Sequence, residues 1–178
     1  MRESGLFMKR LNNILCLLLV SIIMFSFVAC SPNMSEDSSA ESVITEYVNT
    51  YYTITKDDID LYKKIMTNKD IKTSVSDTEK ATKRFKNLMT DTAYSDMTRM
   101  SYGRCKEASE NNYYVTVKNI KLEKDSEDTQ TKVYYYDIEL IQTSILGNEV
   151  KSVKEKRQIT LSKIKDSWKV SNSYTGGY

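Results

Sequence analysis

The sequence predicts an α+β domain in which N-terminal helices pack on a curved antiparallel β-sheet, preceded by a signal helix. Apolar residues recur at three- and four-residue spacing between residues 40 and 100, which is typical of amphipathic helices. From about Arg104 onward they alternate with polar residues, which is typical of half-buried strands. Helices that precede strands, instead of alternating with them, favour an antiparallel sheet with its helices on one face.

The first half of this domain carries three predicted helices. The first has its apolar stripe at Ile44, Tyr47, Val48, Tyr51 and Tyr52. The second begins at Thr55-x-x-Asp58, which matches a capping box, and the third begins at a similar motif, Ser76-x-x-Glu79. Residues Ile71–Val75 are predicted as a short strand between them. Tyr94, Met97 and Met100 extend the third helix or form a last helical turn.

The second half is predicted as a meander of long strands. Tyr113, Val115 and Val117 define the first strand, and an acidic loop follows over Glu123–Asp128. Long strands over Lys132–Leu146 and Glu149–Ile164 are joined at Gly147-Asn148, a two-residue turn signal. Strands of this length have to curl, and a bulge near Ile141–Ser144 is predicted to bring both apolar sets inward.

The last strand is predicted to follow a turn at Lys165-Asp166-Ser167. Its shared face carries Trp168, Val170, Asn172 and Tyr174.

The N-terminus has the pattern of an export signal. Lys9 and Arg10 precede an apolar run from Ile14 to Ala29, which as a helix would span about 24 Å, short of the ~30 Å hydrocarbon core. A cleaved signal therefore fits better than a spanning anchor. Met8 is a more natural start than Met1, so the true start of the chain is left open.

The end of that run, Phe27-Val28-Ala29-Cys30-Ser31, resembles the lipobox of bacterial lipoproteins, with Phe27 where Leu is usual. The resemblance implies that Cys30 becomes the mature N-terminus and carries acyl chains such as palmitate, which anchor the protein to the outer face of the cell membrane. An uncleaved anchor and a plain secreted protein are the alternatives. The chain then divides into a signal (1–29), a lipidated N-terminus with a flexible tether (30–39) and one domain (40–178).

Charge and cysteine content limit the partners of the exported part. Removal of residues 1–29 takes away three basic residues and one acidic residue, which cancels the net charge of +2 of the full chain. A neutral domain has no global field that attracts nucleic acid, so no nucleic-acid partner is expected. Cys105 is then the one thiol left besides Cys30, and a structural role is predicted for it.

The order of elements resembles the NTF2-like (SnoaL-like, cystatin-like) domains. The resemblance is carried by the helix pair that begins at Ser42-Val-Ile-Thr-Glu-Tyr-Val and by the ending Gln158-Ile-Thr-Leu-Ser-Lys-Ile-Lys-Asp-Ser-Trp-Lys-Val. It implies a cone, formed by a curved sheet wrapped over helices, with a cavity at its wide end. Members of this family include isomerases, polyketide cyclases, transport factors and binding domains of envelope proteins.

A ligand site in that cavity would use side chains that the strand parity directs inward. Glu155 and Arg157 share the parity of Val153, Ile159 and Leu161, and Tyr136, Asn172 and Tyr174 are their expected neighbours. No residue is assigned to catalysis, because the chain has no His, and Asp137 and Glu139 are expected to face solvent. No cofactor or metal is expected. The tyrosine run 134–136 places Tyr135 on the outer face, where it offers aromatic surface to a partner.

These observations favour a non-catalytic module of the cell envelope that binds a small-molecule ligand or an envelope protein, with its oligomeric state open. A small pocket enzyme of isomerase or cyclase type is one alternative, and it would require a carboxylate buried beside Tyr in a cavity. An accessory subunit of an envelope machine, which would use the tyrosine-rich sheet as its interface, is the other.

Overall fold

A computed structural model describes residues 36–100, 103–147 and 149–173 of the chain. The helices are α1 (Glu36–Tyr52), α2 (Lys56–Thr67), α3 (Ile71–Thr82), α4 (Asp91–Met100) and α5 (Gly103–Asn111), with a 3₁₀ turn at Lys83–Phe85. The strands are β1 (Tyr113–Glu127), β2 (Thr131–Ser144), β3 (Glu149–Ile164) and β4 (Ser167–Ser173). The predicted α+β class is confirmed. The signal helix, Cys30 and tether residues 31–35 lie outside the described residues.

The sheet is an antiparallel meander in the order β1-β2-β3-β4, and its helices pack on one face. The interior is formed by alternate residues of the strands and by the inward stripe of α1, which includes Ile44, Val48 and Tyr52. Burial of this apolar surface is the main force that holds helices and sheet together. No helix in the described ranges combines the length and the apolar content that crossing a bilayer requires.

Helices α1 and α2 follow the sequence pattern. The side chain of Thr55 accepts a hydrogen bond from the backbone N–H of Asp58, and the Asp58 carboxylate accepts one from the backbone N–H of Thr55. The predicted capping box is therefore confirmed. Helix α1 begins at Glu36, so residues 36–39, which the sequence assigned to the flexible tether, are helical.

The first turn of α1 is tied to the sheet by ion pairs. The carboxylate of Asp37 accepts hydrogen bonds from Lys124 at 2.8 Å and from the buried Lys132. Lys132 also lies over the ring of Trp168, with its ammonium 5.0 Å from the ring centroid. These contacts place the start of α1 beside the β1–β2 turn, so α1 runs from that end of the sheet toward the opposite end.

Helix α3 differs from the prediction. It begins at Ile71, where the Asp70 side chain caps the backbone N–H of Lys72, so neither the short strand over Ile71–Val75 nor a helix start at Ser76 is correct. Ile71 and Val75 are 79% and 52% exposed, whereas Asp77 is buried and pairs with Lys64 at 2.8 Å. The two large apolar residues of this helix, Ile71 and Val75, face solvent, and hydrophobic patterning therefore does not reveal the helix.

Residues 103–111 also differ from the prediction, because they form helix α5 instead of the start of the strands. Ala108 is the buried residue of this polar helix. Asn112 has a positive φ of 56° and ends it before β1. The predicted acidic loop is displaced as well: β1 continues to Glu127, and the turn is short, with Asp128 accepting hydrogen bonds from the backbone N–H groups of Gln130 and Thr131.

The β2–β3 hairpin turns where predicted. Gly147 adopts a φ of +88°, a conformation that L side chains rarely adopt, and its N–H donates to the carbonyl of Ser144 at 2.8 Å. A register shift lies at Gln142/Thr143, within the predicted bulge region, with Val150 of β3 as the extra residue. It does not bring both apolar sets inward, since Ile145 is 48% exposed.

The two edge strands of the sheet, β4 and β1, are covered to different extents by neighbouring backbone. Beside β4, the backbone of Val170 bonds to Leu88 and Thr90, so that segment covers the edge. Beside β1, Ile54 bridges Val115 near the start of the strand. Further along, β1 has register shifts between Val117 and Asn119 and between Lys124 and Ser126.

Candidate binding cleft

The strand parity of Glu155 and Arg157 is confirmed, because both half-buried side chains lie on the helix-facing side of the sheet. Oε2 of Glu155 accepts hydrogen bonds from Nε and Nη2 of Arg157 at 3.1 and 2.9 Å. Tyr136 is the neighbour of Arg157 across β2 and β3 and is fully buried. Strand pattern alone thus places three of the five predicted site residues together.

The other two predicted site residues do not join them. The register shift at Thr160/Leu161 inserts Ser171 as an extra residue of β4, so Asn172 pairs with Thr160 and is exposed on the outer face. Its predicted place in the pocket is wrong because the bulge reverses the side-chain alternation. Tyr174 lies outside the described residues.

Arg104, on the first turn of α5, is the residue of this site that sequence reasoning missed. Its Nη2 lies 3.6 Å from Oε1 of Glu155, so a single carboxylate stands between two guanidinium groups. Its guanidinium carbon lies 4.2 Å from the centroid of the Tyr52 ring, which holds the group in a stacked orientation. The Nε atom of Arg104 is buried and has no hydrogen-bond partner among the described residues.

Two buried tyrosines lie beneath these charges. The hydroxyl oxygens of Tyr52 and Tyr136 are 3.2 Å apart and share a hydrogen bond. Burial raises the pKa of both phenols above the ordinary value of a tyrosine, so both are neutral hydroxyls at physiological pH.

These groups open into a cleft of about 270 Å³ between α5 and the half of the sheet nearer the β2–β3 hairpin. We call it the arginine cleft. Its charged lining residues are Arg104, Glu107, Lys151, Glu155 and Arg157, and its uncharged lining residues are Ile54, Tyr113, Val115, Leu140, Gln142 and Val153. Three cationic side chains therefore face two carboxylates.

The carboxylate of Glu107 accepts a hydrogen bond inside the arginine cleft. Burial, together with a hydrogen bond to the Glu107 carboxylate, raises the pKa of Tyr113 to about 12. Tyr113 is thus a neutral donor to Glu107 near pH 7. The lining consequently holds one carboxylate bound to a phenol and one shared by two arginines.

The chemistry available here is recognition of charge and shape. Glu155 already accepts two hydrogen bonds from Arg157 and faces a second guanidinium, which makes it a poor general base. Asp137 and Glu139 lie on the outer face as predicted, where Lys118 and Ser152 hydrogen-bond Glu139. Within the described ranges, no three His, Cys, Asp or Glu residues come together as a metal site. Burial raises the pKa of the half-buried Cys105 thiol, which disfavours the nucleophilic thiolate.

Comparisons with known proteins return loose structural likenesses. No protein-family model and no curated protein matches the chain. The transfer protein TraH of the Gram-positive conjugative plasmid pIP501 is 13% identical, with a TM-score of 0.47 over 81% of this chain and 96% of that one. A periplasmic fragment of TraM is 8% identical, with a TM-score of 0.48 over 79% and 96%. The intermembrane space region of the chloroplast protein ARC6 is 12% identical, with a TM-score of 0.40 over 80% and 96%. At TM-scores below 0.5, these likenesses carry no functional conclusion.

Proposed function

We propose that this chain is a lipoprotein anchored at Cys30 on the extracytoplasmic face of the cell membrane, and that its NTF2-like domain is a non-catalytic binding module of the envelope. The anchoring is supported by the basic start, the apolar run and the lipobox-like Phe27–Ser31 segment. Two or more acyl chains on one cysteine give stable membrane attachment, whereas one chain binds only marginally.

The observation that carries the binding role is the arginine cleft. Most of the helix-facing side of the sheet is closed by apolar packing, but around Arg104, Glu155 and Arg157 charged side chains line an open concavity. A buried donor without an acceptor is expensive to keep, and the Nε of Arg104 has no acceptor among the described residues. We therefore assign ligand binding to this cleft, with Tyr136 as its buried support.

An accessory-subunit role is the second candidate, and the β2–β3 hairpin favours it. Leu146 is 87% exposed at its tip, and the neighbouring Ile145 and Val150 are also exposed. Apolar side chains grouped at a protruding turn are typical of protein contacts. Loss of a co-purifying envelope protein from the Leu146→Ser variant, but not from Arg104→Gln, would favour this role over ligand binding.

Metabolic labelling with an alkyne analogue of palmitate tests the anchor. We expect the probe to label the native protein and the variants Cys16→Ser and Cys105→Ser, and to leave Cys30→Ser unlabelled and released from the membrane fraction. Cys16 and Cys105 control for acylation at the other two thiols of the chain. Equal labelling of Cys30→Ser, or an unlabelled native protein beside a labelled control lipoprotein, would refute the proposal.

A further inference from the structure

We propose that the arginine cleft binds a small organic acid, a monocarboxylate with an apolar body, and that Arg104 is the residue that receives the carboxylate. The inference rests on the binding role assigned to the cleft above and names the chemical class of its ligand.

Arg104 has unused hydrogen-bond donors. A guanidinium has five N–H donors, but the Nη2 contact with Glu155, at 3.6 Å, is longer than an ordinary hydrogen bond. Its Nε is buried with no acceptor among the described residues. A carboxylate is the planar acceptor that matches two neighbouring guanidinium N–H groups. The group is also pre-oriented by stacking on Tyr52, so little ordering is needed on binding.

The lining of the cleft carries a net positive charge. Arg104, Lys151 and Arg157 stand against Glu107 and Glu155, which leaves a surplus of one positive charge. A monoanion neutralises that surplus. A phosphate dianion would exceed it and would meet repulsion from the two carboxylates.

The cleft is small and has both apolar and charged walls. At about 270 Å³ it lies below the size of sites for drug-like molecules, so it takes a small ligand. Ile54, Val115, Leu140 and Val153 supply apolar walls beside the charged side chains. An acid with a branched or aromatic body would bury apolar surface against these walls while its carboxylate contacts Arg104.

Titration of the detergent-solubilised full chain tests the inference. The probes are phenylacetate, benzoate and isocaproate, each paired with its neutral amide, with phenyl phosphate as a dianion of similar size. Isothermal titration calorimetry measures the affinity of the parent chain and of every variant. The Arg104 Nε–H signal in ¹H–¹⁵N spectra, assigned by its absence from Arg104→Lys, reports contact with this residue in the parent chain. We expect at least one acid to shift this signal saturably and to bind at least tenfold more tightly than its amide and than phenyl phosphate.

Variants separate recognition from folding. Arg104→Lys keeps the charge but loses the planar fork, and Arg104→Gln loses both, so we expect each to weaken acid binding at least tenfold. Lys106→Gln removes a cation from the exposed side of the same helix and should leave binding unchanged. An unshifted Arg104 signal with every acid, equal binding of acid and amide, tighter binding of phenyl phosphate, or undiminished binding by folded Arg104→Lys would overturn the inference. The palmitate label at Cys30 reports on the anchor independently of all these outcomes.

Discussion

The hydroxyls of Tyr52 and Tyr136 depend on each other, because both lie in the interior and share one hydrogen bond. A buried polar group that loses its partner costs more than the bond contributed when intact. Removal of both hydroxyls avoids that penalty, since no orphan remains.

We therefore expect Tyr52→Phe and Tyr136→Phe each to lower the free energy of unfolding by about 1–3 kcal/mol. The double variant should lose clearly less than the sum of the two. Urea unfolding followed by circular dichroism measures all four proteins of this cycle. Additive losses would show that the two hydroxyls are satisfied independently of each other.

At the same scale, the site residues show what a single sequence can reveal. The alternation of β3 places Glu155 and Arg157 inward, and the pairing of β2 with β3 adds Tyr136. Asn172 is lost to a one-residue bulge at Ser171, and bulges leave no reliable mark in an alternating pattern. Arg104 reaches the site from a helix that the sequence pattern did not indicate, so tertiary packing alone places it.

Among the elements, those with a strong local signal were predictable and those held by polar contacts were not. Helix α1 has a full apolar stripe and α2 has a capping box, so both were predicted. Helix α3 turns Asp77 inward, toward Lys64 and Lys80, and leaves Ile71 and Val75 outside. The β-branched residues at its start are typical of a strand, and the helix has no apolar stripe at three- and four-residue spacing that would indicate otherwise.

The ion pairs of Asp37 hold α1 to the sheet and give this contact a pH dependence. Hydrogen bonds from Lys124 and then from Lys132 lower the pKa of Asp37 from 3.8 to about 2. A carboxyl group whose pKa is lowered by folding stabilises the folded state above its unfolded pKa, and that contribution disappears as pH falls through the folded pKa.

We expect Asp37→Asn to be less stable than the parent chain at pH 6 and the difference to shrink between about pH 4 and pH 2. Chemical denaturation at pH 6, 4 and 2 measures it. Asp125→Asn, which removes an exposed carboxylate from β1, is the control for the loss of one negative charge. A deficit in Asp37→Asn that stays constant down to pH 2 would mean that the aspartate acts through something other than its charge.

At the scale of the whole molecule, one continuous core joins α1, α2, the 3₁₀ turn, α4, α5 and all four strands. Leu161 of β3 belongs to this core and is fully buried, whereas Leu146 at the β2–β3 turn is exposed to solvent. The two leucines have the same side chain in opposite surroundings. A comparison of the stability lost when each is truncated therefore shows how much the core contributes.

We expect Leu161→Ala to lower the free energy of unfolding by about 2–5 kcal/mol, because it opens a cavity that the packed interior cannot refill. Leu146→Ala should change it by less than about 0.5 kcal/mol. Parallel urea titrations measure both changes. A large loss from Leu146→Ala would indicate that the hairpin tip is covered in solution.

The irregular outer margin of β1 affects how neighbouring copies behave. Its two register shifts, one at Lys118 and one next to Lys124, interrupt the row of backbone N–H and C=O groups with which a strand of another molecule could pair. Molecules crowded on one surface therefore lack an uninterrupted strand edge for β-pairing between neighbours. We expect neighbouring copies to stay separate, even when they are densely packed on the surface, and not to join edge to edge into extended β-sheets.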